Sequence, residues 1–200
     1  MAFDKLGSDE SIEKAVASLK ANGIEAFVVE NGEQAKQKAL EMIPEGAEVM
    51  NMTSVTLDAI GLTEEIMSGR NSVRKKLMSM DRTKHGSEMK KLGIAPDYAV
   101  GSVHAITEDG KVLIASASGS QLPAYAYGAG KVIWIAGTQK IVKNLEEGMK
   151  RIYEYTLPLE DQRARIAYGV GSGVNKLLVV NKEFAPGRIT LILVKEKLGF

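Results

Sequence analysis

The hydrophobic positions of this chain alternate between the period of an α-helix and the short apolar runs of buried strands. Ile12, Val16 and Leu19 recur at the spacing of one helix face, and the apolar residues 26–29 follow soon after. In order, the pattern predicts a helix through Leu19, a strand at 26–29, a helix on Ala35, Ala39 and Met42, a strand at 47–52, and a short helix that Gly61 ends. The beginning of the chain therefore has the predicted order α-β-α-β-α.

The second half of the chain is richer in predicted strands. Asp109 and Gly110 form a favoured two-residue hairpin turn between strands expected at 98–106 and 111–115. Pro158 is expected to end one helix before another begins. The other expected elements are a strand at 131–135, a helix on Leu145, Met149 and Ile152, a helix at 159–168, and a terminal pair of strands at 176–180 and 189–194.

Helices that alternate with apolar strands are typical of a parallel sheet covered on both faces. We therefore predict an α/β fold with a mostly parallel, mixed sheet flanked by helices and one β-hairpin, in a single domain over residues 1–200. Residues 62–95 predict a helical insertion with a basic outer face, which is ordinarily a solvated surface. Its basic side chains are Arg70, Arg74, Lys75, Lys76, Arg82, Lys84, Lys90 and Lys91.

Composition narrows the classes of function. The 26 basic and 25 acidic residues give a net charge of +1, so we expect no binding to nucleic acid. The charged first residues do not resemble a secretory signal, and no apolar run approaches the length of a membrane span, so we expect a cytoplasmic protein without membrane insertion. The chain has no Cys, and therefore no thiolate for catalysis, zinc binding or iron–sulfur ligation. No cofactor is evident from the sequence.

Three polar clusters follow predicted strands, where the carboxyl ends of parallel strands place ligands. Ser54 and Thr56 follow one strand, and Lys140 follows another. Between them lies a loop whose small polar residues can form an anion-binding nest: Ser116, Ser118, Gly119, Ser120 and Gln121. The alternatives are helix capping by Ser54 and Thr56, tight packing of the loop, and a solvated Lys140. The binding interpretation predicts a small-molecule ligand with a carboxylate or phosphate group.

His104 is the residue best suited to acid–base chemistry. It is one of 2 histidines in the chain, too few for a histidine-rich metal cluster, so we expect no metal site. Strand parity places it on the same face as Ser102. Glu108, near the following turn, is its candidate carboxylate partner. The alternative is a half-buried structural histidine.

Several ordered motifs carry a family resemblance. They are TSVTLDAIG at 53–61, GSVHAITEDG at 101–110, ASASGSQ at 115–121 and GTQKIV at 137–142. The likeness continues through Arg151-Ile152, LPLED at 157–161, NKLL at 175–178, PGRI at 186–189 and EKLG at 196–199. Together these motifs resemble the LUD family, whose name means lactate-utilization domain.

The resemblance implies a fold similar to that of the NagB/RpiA/CoA-transferase group. It also implies a role in the oxidation of lactate to pyruvate, beside partner proteins that carry iron–sulfur clusters, with this Cys-free chain as the component without a cluster. Asn51 and Met52 stand where the wider fold group has a glycine-bearing phosphate loop. The family motifs point to one pocket wall, formed by Ser54, Thr56, Ser102, His104, Glu108, Ser116, Ser118, Gly119, Ser120, Gln121 and Lys140.

The sequence leaves three functions open. The first is the component of a lactate-utilization system that lacks iron–sulfur clusters, with a small-molecule pocket at the strand ends. The second is a stand-alone enzyme acting on a phosphorylated, carboxylated or acyl small molecule, with His104 and Glu108 as the candidate catalytic residues. The third is a non-catalytic assembly module that docks through the basic residues between 70 and 91. A homo-oligomer is compatible with each.

Overall fold

Helices and strands alternate along most of the chain, of which the computed structural model describes residues 3–200. The helices are α1 (Asp9–Ala21), α2 (Gly32–Glu41), α3 (Val55–Ala59), α4 (Leu62–Gly69), α5 (Val73–Met78), α6 (Arg82–Ile94), α7 (Leu145–Lys150) and α8 (Leu157–Tyr168). The strands are β1 (Glu25–Val29), β2 (Glu48–Asn51), β3 (Asn71–Ser72), β4 (Tyr98–Gly101), β5 (Ala105–Thr107), β6 (Val112–Ser116), β7 (Lys131–Gly137), β8 (Ile141–Val142), β9 (Lys176–Val180) and β10 (Ile189–Val194). Within residues 3–200, no helix has the length and apolar character needed to span a bilayer.

Six parallel strands form the larger sheet, in the order β1-β10-β7-β4-β2-β3. Every residue of β10 is buried, and β7 is buried except for Lys131. These central strands are continuous apolar runs because both faces of the sheet are covered. The predicted α/β fold, with a mostly parallel sheet flanked by helices, is confirmed.

The two faces of this sheet carry separate apolar clusters. Trp134 of β7 packs on one face with α1 and with strands of a second sheet. Its neighbours Ile133 and Ile135 point to the other face, where they pack with α2, α3 and α4. Burying a large apolar side chain contributes about 2 kcal/mol to folding, so both faces stabilise the sheet.

The second sheet has four strands in the order β8-β5-β6-β9. Its hairpin of β5 and β6 lies at the predicted place, but Ile106 pairs with Val112, which leaves a three-residue loop and not the predicted two-residue turn. Gly110 supplies the positive φ of +81° that such a loop requires. Thr107 and Lys111 face one another at the base of this loop, where the Thr107 N–H donates to the Lys111 carbonyl at 2.9 Å, so the loop consists of residues 108–110.

Two further strand predictions were wrong. The strand expected at 98–106 is divided, because β4 ends at Gly101 in the larger sheet and β5 begins at Ala105 in the second sheet. The terminal strands do not pair with each other. β9 runs antiparallel to β6, whereas β10 inserts between β1 and β7.

The helix expected to end at Pro158 continues through it. Residues Arg151–Thr156 form a π-helical turn that joins α7 to α8 without a break. Pro158 lies in the first turn of α8, after the wider turn has shifted the hydrogen-bond pattern, so its missing N–H is tolerated. The residues predicted as a helical insertion are mainly helical, in α4, α5 and α6, with the short β3 paired to the edge of β2.

Candidate functional site

A cavity of about 460 Å³ opens where β2, β4 and β7 reach their carboxyl ends. The second sheet, α8 and residues 170–174 complete its wall. Nine of the residues predicted from the sequence line it: Ser54, Thr56, Ser102, His104, Ser116, Ser118, Ser120, Gln121 and Lys140. Their convergence follows from the topology, because parallel strands end at the same edge of the sheet.

Lys140 is the most deeply placed cation of this wall. It lies in the short 3₁₀ turn Thr138–Lys140 that follows β7, and only 2% of its surface is exposed. Its Nζ lies 3.1 Å from Thr56 Oγ1, 3.0 Å from Ser102 Oγ and 3.1 Å from the carbonyl oxygen of Val103. The solvated alternative for this lysine is therefore wrong.

The surroundings of Lys140 disfavour its charged form. Burial removes the ammonium from water, and the nearby positive charge of Arg151 repels it. Together they lower the pKa of Lys140 from its usual 10.5 to about 7. Near neutral pH the Lys140 amine therefore exists in both its charged and its neutral form.

His104 is neutral and its tautomer is fixed by one contact. Its Nδ1 accepts the backbone N–H of Ala115 at 3.1 Å, so the ring proton lies on Nε2. Burial, followed by the charges of Lys140 and Arg151, lowers the pKa of His104 to about 3. At neutral pH the ring is thus a hydrogen-bond donor through Nε2, and not a cation.

Arg151 is a residue of this region that the site prediction missed. It is fully buried in the π-helical turn, and it donates to the carbonyl of His104 and, at 3.1 Å, to Thr156 Oγ1. Burial lowers its pKa to about 10, so it stays charged at neutral pH. Its presence among the family motifs was the available signal, but only the structure shows that the helix brings it behind His104.

Asn51 was also missed, although it stands at the end of a predicted strand. Its side chain is fully buried and lines the cavity. Within the described part of the chain, neither its amide nitrogen nor its amide oxygen has a hydrogen-bond partner. A buried amide without partners is costly, so Asn51 is a natural contact for a polar group inside the cavity.

Glu108 and Gly119 do not line the cavity. Glu108 accepts the Ser11 hydroxyl of α1 at 2.5 Å, so the structure does not bring it to His104 as a carboxylate partner. Gly119 adopts a φ of +82° and its N–H donates to Ser116 Oγ at 2.8 Å. It therefore shapes the loop that carries the serines.

The serine-rich loop uses many of its polar groups internally. Ser116 Oγ donates to Gln121 Oε1 at 2.9 Å, and Ser118 Oγ lies 3.1 Å from Ser120 Oγ. Ser118 and Ser120 are nevertheless exposed at the cavity rim, where they remain accessible to a ligand. Among residues 3–200 there is no group of three His, Asp or Glu side chains arranged to hold a metal ion.

The charged groups at the cavity rim are largely paired or solvated. Glu160 and Arg163 form a bidentate ion pair with both contacts at 2.7 Å. Asp58 is exposed and accepts the Thr63 hydroxyl at 2.6 Å. Lys140 differs from these rim groups because it is a buried cation without a carboxylate partner among the described residues.

Comparisons with known proteins agree with this architecture. The crystal structure of a DUF162 family protein from Deinococcus radiodurans is similar to this chain with a TM-score of 0.61 at 13% identity, covering 95% of this chain and 99% of that chain. A D-ribose-5-phosphate isomerase structure in complex with phospho-erythronic acid gives a TM-score of 0.36 at 19% identity over 64% of this chain and 65% of that chain, a likeness too low to carry an argument. The search of curated proteins found no match. The family profile described as the LUD domain matches residues 12–194, nearly the whole chain, and the chain therefore belongs to the LUD-domain family.

Proposed function

We propose that this chain is the component without iron–sulfur clusters of a lactate-utilization system, and that its cavity binds a small carboxylate. Membership of the LUD-domain family supports the first part, since the family is associated with lactate utilization. The absence of Cys supports it too, because iron–sulfur clusters would then be carried by partner proteins.

The proposal that the cavity binds a small carboxylate rests on the charges of its inner wall. Arg151 and the protonated form of Lys140 carry positive charge beside a neutral His104, and no carboxylate of residues 3–200 lies within 4.0 Å of Lys140 Nζ. An anion entering the cavity would supply the missing countercharge, and its oxygens would find donors in Asn51 and His104 Nε2. The cavity of about 460 Å³ is ample for a small acid and lies in the usual range for small-molecule sites.

Ligand binding is tested by thermal unfolding with D-lactate, L-lactate, pyruvate and inorganic phosphate. A ligand present at 100 times its Kd should stabilise the protein by about 2.7 kcal/mol. Lys140→Met should abolish the stabilisation, whereas Lys182→Met, which removes an exposed lysine, should preserve it. Stabilisation by phosphate alone would contradict the carboxylate assignment, and no stabilisation by any of them would contradict the binding proposal.

The cellular role is tested by deletion of the gene. Cells without it should grow poorly on lactate and normally on pyruvate, because only the first oxidation step would be lost. Reintroducing the wild-type gene should restore growth. Equal growth on lactate with and without the gene would refute the role in lactate utilization.

A further inference from the structure

One contact in the cavity has the geometry of a nucleophile and its base. Ser102 follows β4 and Lys140 follows β7, and these strands are neighbours in the larger sheet. The distance from Ser102 Oγ to Lys140 Nζ is 3.0 Å. Ser102 is half-buried and lines the cavity, so its hydroxyl can reach a bound molecule.

The hydrogen-bond partners of Lys140 leave room for the lone pair of a neutral amine beside Ser102. The carbonyl of Val103 can only accept, so it takes one N–H of the amine. Thr56 Oγ1 donates its own proton to the carbonyl of Leu198 at 3.3 Å, so it accepts the second N–H. Among the described residues, Ser102 Oγ is the third group within hydrogen-bond distance of Nζ, at 3.0 Å, and it also lies 3.2 Å from Thr56 Oγ1. The ammonium donates to Ser102 Oγ. Once the amine is neutral and its two N–H groups point to Val103 and Thr56, its lone pair can accept the Ser102 proton.

The groups facing Lys140 favour this neutral state. His104, which begins the turn into β5, is uncharged, and Arg151 of the π-helical turn is positive. Thr56 of α3 and Ser102 after β4 carry no charge. Because no carboxylate of the described chain contacts Nζ, nothing there stabilises the ammonium as an ion pair.

We propose that Ser102 is a nucleophile activated by Lys140, and that the cavity catalyses acyl transfer from a carboxylic ester or thioester to water. In the first step the Ser102 Oγ proton moves to Nζ, Oγ bonds to the carbonyl carbon, and the tetrahedral intermediate expels an alkoxide or thiolate that takes the proton back from Nζ. In the second step Lys140 removes a proton from water, whose oxygen attacks the acyl-serine, and Ser102 leaves as the restored hydroxyl. The products are a carboxylate and an alcohol or thiol. The catalytic pair is of the serine–lysine type.

This activity shares its cavity with the proposed function but depends on a different observation, the Ser102–Lys140 contact. A small fluorophosphonate probe and p-nitrophenyl acetate test it on the full chain. The probe should label Ser102, as located by peptide mass spectrometry, and ester hydrolysis should show a burst. Lys140→Met should lower the labelling rate by about 100-fold or more, the usual contribution of a general base. Ser102→Ala should remove the label, and Ser68→Ala, at an exposed serine, should not change it.

The pH profile of the wild-type protein is a second measurement that needs no variant. The labelling rate should rise as the pH increases through the pKa of Lys140 at about 7 and then level off. Folding of each variant is checked by circular dichroism. Equal labelling of folded Lys140→Met, a rate independent of pH from 6 to 8, or labelling only of other serines would overturn the proposal. A protein stabilised by lactate but unlabelled would refute this activity alone, and a labelled protein that no acid stabilises would refute only the carboxylate-binding proposal.

Discussion

Because the amine of Lys140 is buried, we expect the free energy of unfolding to change with pH in the alkaline range. Its pKa is 10.5 in an exposed lysine and about 7 in the fold. Between these values the unfolded chain holds a proton that the folded chain lacks, so raising the pH favours the folded state by about 1.4 kcal/mol per pH unit. Over the whole interval the gain is about 5 kcal/mol.

Urea unfolding at pH 7.5, 8.5 and 9.5 measures this slope. The wild-type free energy of unfolding should rise with pH by about 1.4 kcal/mol per unit more than that of Lys140→Met, which has no proton to lose there. Lys182→Met removes an exposed lysine and should keep the wild-type slope. Parallel lines for wild type and Lys140→Met would refute the argument. If the variant does not fold, an NMR titration of ¹³C-labelled lysine in the wild type gives the pKa directly.

Three other changes test the surroundings of the site. The free energy of unfolding should fall as the pH drops from 6.5 towards 3, because His104 becomes protonated in the unfolded chain while its pKa in the folded protein is about 3. His104→Gln should flatten this part of the pH profile measured by urea unfolding. Arg151→Met removes a charge that repels the ammonium, so NMR should show a higher pKa for Lys140, and an unchanged value would contradict that cause. Gly101→Ala places a Cβ in steric conflict with the Tyr125 hydroxyl and should lower the free energy of unfolding by about 1–3 kcal/mol in chemical denaturation. Tyr125→Phe should recover part of the loss, and full additivity of the two changes would contradict the contact.

The sequence allowed the class of fold to be predicted, and nine of the eleven residues predicted for the pocket line the cavity, because both follow from local patterns. Short apolar runs such as those of β7 and β10 must be buried on both faces, and polar residues after such strands must gather at one edge. This is why Thr56, Ser102 and Lys140, far apart in sequence, were all predicted at the pocket and all line it.

What the sequence did not show depends on non-local geometry. Whether the strand after Tyr98 stays in one sheet is decided by which strands flank it, and no local pattern records the change of sheet between Gly101 and Ala105. In the sequence, Arg151 cannot be distinguished from an exposed helical arginine. The structure shows that the π-helical turn buries it beside the carbonyl of His104. Glu108 is near His104 along the chain, but its contact with Ser11 of α1 lies outside the cavity.

The position of β10 between β1 and β7 has a consequence for how the chain acquires its structure. Among residues 3–200, β1 pairs in the larger sheet with β10 alone, so residues 25 and 190 must meet before this strand has a partner. Closing so long a segment is entropically unfavourable, and proteins dominated by such distant pairings fold in roughly milliseconds to seconds. On the ribosome, the first strand would wait with an unpaired edge until residues 189–194 emerge, a period in which a chaperone has an exposed strand to protect.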